Sequence, residues 1–149
     1  MNTKVYLAVD RFRVPFKTSS IKQLIKSEIA RLSKETGLPG DKLPVKFINS
    51  STVNYIGCYS YSHIGDKVIS EEFIFNFYQF KDFSAKQIID VVRHEFSHYI
   101  RRMRHGIDGD NCHDTKFRGI CGELGCDGTA YHYSHVTKLF KDSFLTTKI

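Results

Sequence analysis

The residue pattern of this chain predicts an α+β fold, a small β-sheet packed on helices, and three observations lead there. Two helix starts carry a capping box, Ser20-Ile21-Lys22-Gln23 and Ser84-Ala85-Lys86-Gln87, in which the Ser side chain takes a free backbone N–H and the Gln reaches back. Between and before them lie short segments rich in β-branched and aromatic residues, which read as strands. The 149 residues, 41% of them hydrophobic, suit one domain, 1–149, with a sizeable core, and no internal repeat, low-complexity stretch or linker breaks them up.

Taken in order, Lys4 to Phe12 sets Val5, Leu7 and Val9 in alternation, a strand pattern. The first capping box opens a helix with Ile21, Leu24, Ile25, Ile29 and Leu32 on one face, ending near Gly37-Leu38-Pro39. Val45 to Ile48, Tyr55 to Ser62 and Lys67 to Ile69 read as short strands, with Gly65-Asp66 turning between the last two. Phe73 to Phe80 is apolar at most positions, and its pattern leaves strand and helix both open. The second box starts a helix at Ser84, with Phe83 and Ile88 as hydrophobic staple and Gly106 as C-terminal stop. On it Ala85, Ile88, Ile89, Val92, Phe96, Tyr99, Ile100 and Met103 form one stripe, and Asp90, Arg93, Ser97 and Arg101 lie opposite, toward solvent. Asp114 to Leu124 is a short helix closed by Gly125, with Phe117, Ile120, Cys121 and Leu124 inward. Ser134 to Leu145, carrying Val136, Leu139, Phe140 and Phe144, reads as a terminal helix.

The second capped helix holds the most informative residues. His94-Glu95-Phe96-Ser97-His98 is an H-E-x-x-H box, and positions i and i+4 leave a helix on one face, so two imidazoles can reach one Zn²⁺ while the adjacent Glu acts on its water. His94, Glu95 and His98 fall on a sector between the apolar and polar stripes, where a cleft can meet the core. A half-buried helix with two polar edge histidines would give the same five letters. Two histidines leave a catalytic zinc short of its usual third protein ligand. Arg101 and Arg104 stand where the elongated H-E-x-x-H-x-x-G-x-x-H pattern needs Gly and His, which excludes that class. His105 lies on the same helix end and points away. Glu123, in the next helix, and His113, after the Gly- and Asp-rich loop from Gly106 to Cys112, both remain as candidates.

The segment His94-Glu95-x-x-His98, then His113-x-x-x-Phe117, then Tyr131-His132, resembles the SprT-like metalloproteases, the group that includes Spartan. The likeness is dense over residues 44 to 133 and extends to the order of helix, short strands with Ile56-Gly57 in the middle one, and Val68-Ile69 before the box helix. It implies a zincin-like metalloprotease core. It also implies one Zn²⁺ on His94, His98 and His113, Glu95 as catalytic acid and base, and Tyr131 or His132 as donors to the oxyanion. Asp114 stands where the family often has Gly, which alters the turn but not the ligand. No pair of C-x-x-C motifs follows the core, so no zinc ribbon is expected.

Composition bounds what such a protein would act on. No apolar run approaches the roughly 20 residues that span a bilayer, and charged Asp10, Arg11 and Arg13 follow the apolar Val5 to Val9 too closely for a secretory signal; a cytoplasmic monomer with no membrane partner is expected. Cys58, Cys112, Cys121 and Cys126 are too few for a disulfide scaffold and lack zinc-ribbon spacing, so reduced thiols are expected, with Cys121 a small core residue. The formal charge of +6, with Arg101, Arg102, Arg104 and His105 clustered past the box, is consistent with phosphate contacts and hence with DNA as a partner. A solvated basic face explains the same excess. His63 and His135 carry no argument beyond their residue type and are read as surface residues. Three functions follow: a zinc endopeptidase acting on protein or peptide, including proteins crosslinked to DNA; an intracellular protease that cuts a specific regulator such as a repressor, with Glu123 as third ligand; and a catalytically silent, zinc-stabilised DNA-binding module.

Overall fold

The computed structural model describes residues 5–9, 12–16, 18–80, 83–109 and 111–126. Its elements follow the chain as an antiparallel hairpin of β1 (Val5–Val9) and β2 (Phe12–Phe16), helix α1 (Thr18–Thr36), strands β3 (Val45–Ile48), β4 (Gly57–Ile64) and β5 (Lys67–Asn76), and helices α2 (Ala85–His105) and α3 (Thr115–Leu124). The hairpin is a separate two-stranded ribbon, whereas β3, β5 and β4 form one sheet in that order. This is a mixed α and β architecture, as the sequence predicts. Among the described residues no helix is long and apolar enough to cross a membrane.

The central strand β5 has the most buried residues of the sheet, Phe73, Phe75 and Asn76. β5 runs parallel to β3, with Val45 opposite Phe73, and antiparallel to β4, with Gly57 opposite Phe75. Phe73 and Phe75 are fully buried, and the Phe73 ring stacks on Phe96 of α2 at a centroid distance of 5.9 Å while meeting Tyr99 edge-on. Around these rings close Ile21, Ile25, Ile29 and Leu32 of α1 and Ile88, Val91, Val92 and Ile100 of α2. The sheet therefore packs on two helices through one aromatic layer.

Several boundaries differ from the sequence expectation. The first strand stops at Val9, and Phe12–Phe16 returns along it with Val5 opposite Phe16. Pro15 is tolerated there because a two-stranded ribbon leaves each strand one free edge. Helix α1 begins at Thr18 rather than after Ser20, since Thr18-Ser19-Ser20 offers three residues of helix-start type in a row and local pattern cannot choose among them. Strand β4 lies two residues further on than Tyr55 to Ser62. Strand β5 runs well past Ile69 to Asn76, and Phe77–Phe80 is a short 3₁₀ turn. Asn76 marks that change: its buried side chain accepts from the Ser50 N–H and donates to the Ser50 carbonyl, both at 3.0 Å, and so binds the loop before β4 instead of continuing the strand. Both expected stops are present, Gly106 with φ 83° and Gly125 in the left-handed region with φ 77°.

Helix α2 corrects the expectation most. Ser84 caps it with both capping-box bonds formed, as predicted, but its supposed solvent face is covered. Ser97 is fully buried and Arg101 is only 6% exposed, because α3 and the loop before it pack there; Met103, assigned to the core stripe, is 41% exposed. The helix is thus enclosed from His94 to Arg101, while Met103, Arg104 and His105 stay exposed. Gly57 of β4 sits against it so tightly that a Cβ would come within 3.0 Å of Glu95 Cγ and Val91 Cγ1 and 3.3 Å of Phe75 Cδ1.

A methyl group at that point has nowhere to go. Gly57→Ala should lower stability by about 1–3 kcal/mol, the usual range for overpacking. Ser60→Ala on the same strand should stay within about 0.5 kcal/mol. Urea unfolding of both variants checks this, and an unchanged midpoint for Gly57→Ala would mean that α2 does not press on β4.

Candidate metal centre

His94 and His98 lie one turn apart on α2, where the 3.6-residue repeat brings side chains at i and i+4 to one face. The third imidazole comes from His113, in the turn just before α3. Ring nitrogens of the three lie within 4.8 Å of one another, and Nε2 of His94 and Nε2 of His113 are 3.2 Å apart. A tetrahedral ion with nitrogen ligands at about 2.0–2.1 Å would hold them about 3.3 Å apart, so the spacing suits a metal. The aromatic ring of Phe117, one turn into α3, floors the cluster. It stacks on His98 at a centroid distance of 4.0 Å and meets His94 and His113 edge-on, each at 5.0 Å.

Protonation states agree with ligation. Burial, reinforced by His94 and His113, lowers His98 to about 2, and burial alone lowers His113. Neutral imidazoles present lone pairs, which a divalent cation requires. An all-imidazole set of this kind accepts zinc, copper, iron or nickel.

Glu95 leaves the helix about 100° round from His94 and turns toward β4, where the Tyr59 N–H donates to its Oε1 at 3.0 Å. Burial pushes its carboxyl up to about 8, against the opposing pull of that N–H. The bond also identifies the edge of the sheet that faces the centre. β5 flanks β4 on its other side, so the Tyr59 N–H points away from β5 to reach Glu95, and no further strand pairs with this edge of β4 among the described residues. Tyr59 is further anchored through its hydroxyl, which donates to Glu71 Oε1 and accepts from Arg102 Nε, both at 2.7 Å.

The remaining sequence candidates are distributed as follows. Glu123 is 59% exposed and pairs with Arg104 at 3.1 Å, away from the histidines, so His113 and not Glu123 completes the group. Arg101 binds Asp114 at 2.9 Å and lies 3.6 Å from Asp108, while Arg102 binds Glu71 at 2.9 Å; each arginine of the basic cluster thus faces a carboxylate. His63 is exposed and contacts the Gly65 carbonyl, as expected of a surface residue. Cys121 is fully buried, and the Cys126 N–H closes the end of α3 on the Cys121 carbonyl at 2.9 Å. Tyr131, His132, His135 and the helix expected over Ser134 to Leu145 lie outside the described residues. Sequence reasoning missed the Tyr59 N–H and the contact of Cys112 Sγ with His113 Nδ1 at 3.3 Å. A backbone donor leaves no signature in residue type, although a glycine inside a strand, as Gly57 is, is the kind of residue that could have marked the close approach.

The position of Glu95 has a consequence for the metal-free protein. A carboxyl raised from 4.5 to about 8 favours folding fully below about pH 4.5, and that contribution is lost as pH rises toward 8. Between pH 7 and pH 5 the chelator-treated parent should therefore gain about 2 kcal/mol relative to Glu95→Gln. Urea unfolding at both pH values measures this double difference, in which the other titrating groups cancel. Parallel pH dependences would mean that Glu95 is not desolvated.

Comparison of the chain with protein-family models, with curated proteins and with solved structures found no match in any of the three.

Proposed function

We propose that the protein is a zinc-dependent endopeptidase of SprT-like type, hydrolysing peptide bonds at the His94, His98 and His113 centre. The observation that carries this reading is the convergence of three imidazoles from two separate segments beside a buried glutamate of the same box. A purely structural zinc would call for four protein ligands, and the group among the described residues has three, the number an open catalytic site uses.

Zinc held there would lower the pKa of bound water toward 7 and polarise the scissile carbonyl. Glu95 takes the proton of the attacking water and returns it to the leaving amine. The Tyr59 N–H holds one oxygen of that carboxylate and so fixes its direction. An extended polypeptide can add along β4, which has no second neighbouring strand among the described residues, beyond the point where the Tyr59 N–H is held by Glu95. DNA-associated protein is the widest part of the proposal. The net charge of +6 supports it, but Arg101, Arg102 and Arg104 already face carboxylates, so the reading stands on peptide hydrolysis and not on phosphate recognition.

Purified protein should carry about one Zn²⁺ per chain. His113→Ala should cut that content and Glu123→Ala should leave it intact; the reverse pattern would transfer the third ligand to Glu123. Glu95→Gln should keep the zinc and lose hydrolysis of an unfolded protein such as casein by at least about a hundredfold, the scale of general-base removal. A zinc-loaded parent that digests neither casein nor histone, with or without DNA, would favour the silent binding module.

A further inference from the structure

We infer that Cys112 is a positioning residue for the third ligand: its sulfur accepts the Nδ1–H of His113 and so holds that ring with Nε2 turned toward His94. This rests on the zinc reading above and adds to it the group that sets the tautomer of one ligand.

A neutral imidazole carries a single proton, on one nitrogen or the other. In His113 the nitrogen inside the cluster is Nε2, 3.2 Å from Nε2 of His94, so that atom must keep its lone pair to bind a cation. The proton then belongs on Nδ1. Nδ1 lies 3.3 Å from Cys112 Sγ, within reach of an N–H···S hydrogen bond, and no other partner for it is found among the described residues. Metal-binding histidines ordinarily donate their second N–H to a carboxylate, a carbonyl or water. Here the preceding residue takes that part. Neighbouring side chains point apart along a strand, but residues 112 and 113 lie in a turn, which lets the two meet.

The surrounding bonds leave this task to Cys112. The His113 N–H donates to Asn111 Oδ1 at 3.0 Å, and the His113 carbonyl accepts from Arg118 Nη1 at 3.3 Å. Asp114 caps α3 through the Phe117 N–H at 2.9 Å and pairs with Arg101. The backbone on both sides of the ring is thereby pinned. These bonds do not choose which ring nitrogen bears the proton; a lone pair beside Nδ1 does.

The test measures zinc affinity of the whole chain by chelator competition, together with the ¹⁵N shifts of the His113 ring in the metal-free protein. Cys112→Ala should weaken zinc binding about 10–100-fold, the range found for loss of such outer partners, and should depopulate the Nδ1–H tautomer. Cys112→Ser, which keeps an acceptor, should restore both. Should Cys112→Ala fail to fold, Cys112→Val fills the space without an acceptor and is measured instead. Unchanged affinity in the acceptor-free variant, or equal losses in Ser and Ala, would overturn the inference, as would an Nε2–H tautomer in the metal-free parent. A parent that binds no zinc would sink the metal reading alone, because the tautomer still reports on Cys112.

Discussion

The ion pair between Arg101 and Asp114 is the contact on which the centre depends. Arg101 stands three residues past His98 on α2, and Asp114 directly follows His113, so joining the two carries the third imidazole to the first two. Asp114 also caps α3, and the carboxylate is held well below its usual range, to about 2, by the guanidinium and the Phe117 N–H. The same bonds thus start the helix that supplies Phe117 and place the ring beside it. Partly buried pairs of this kind are weak sources of net stability, since both ions give up water. They specify position well, because a guanidinium left alone in that place would be costly.

A second set of contacts brings the sheet edge to the same helix. Gly57 removes the side chain that would hold β4 away from α2, the Tyr59 N–H then reaches Glu95, and the Tyr59 hydroxyl joins Glu71 and Arg102. These contacts fall at spacings of two along β4, so one face of the strand is committed to α2. The geometry accounts for a carboxyl that is both buried and directed. The arginines beyond the box take part in this framework. Their positive charge is spent on tying the loop, the sheet and α3 to α2, which explains why they look like an anion-binding cluster in the sequence and like braces in the folded chain.

Local chemistry made much of this legible in the sequence alone. The capped start of α2, the i,i+4 histidines and the Asp114 to Gly125 helix follow from bonds within a few residues, so residue types and 3.6-residue spacing were sufficient to define them. What depended on partners distant in the chain was decided only by the tertiary structure. The run from Phe73 to Phe80 divides at Asn76 because that side chain bonds Ser50, and no local pattern contains that information. Arg101 and Ser97 look solvent-facing on a helical wheel, yet α3 covers them. The choice of His113 over Glu123 was likewise left open by spacing. The fold brings His113 to His94 and His98 and turns Glu123 outward to Arg104, because a ligand set is a property of distances in space and a sequence specifies them directly only within one element.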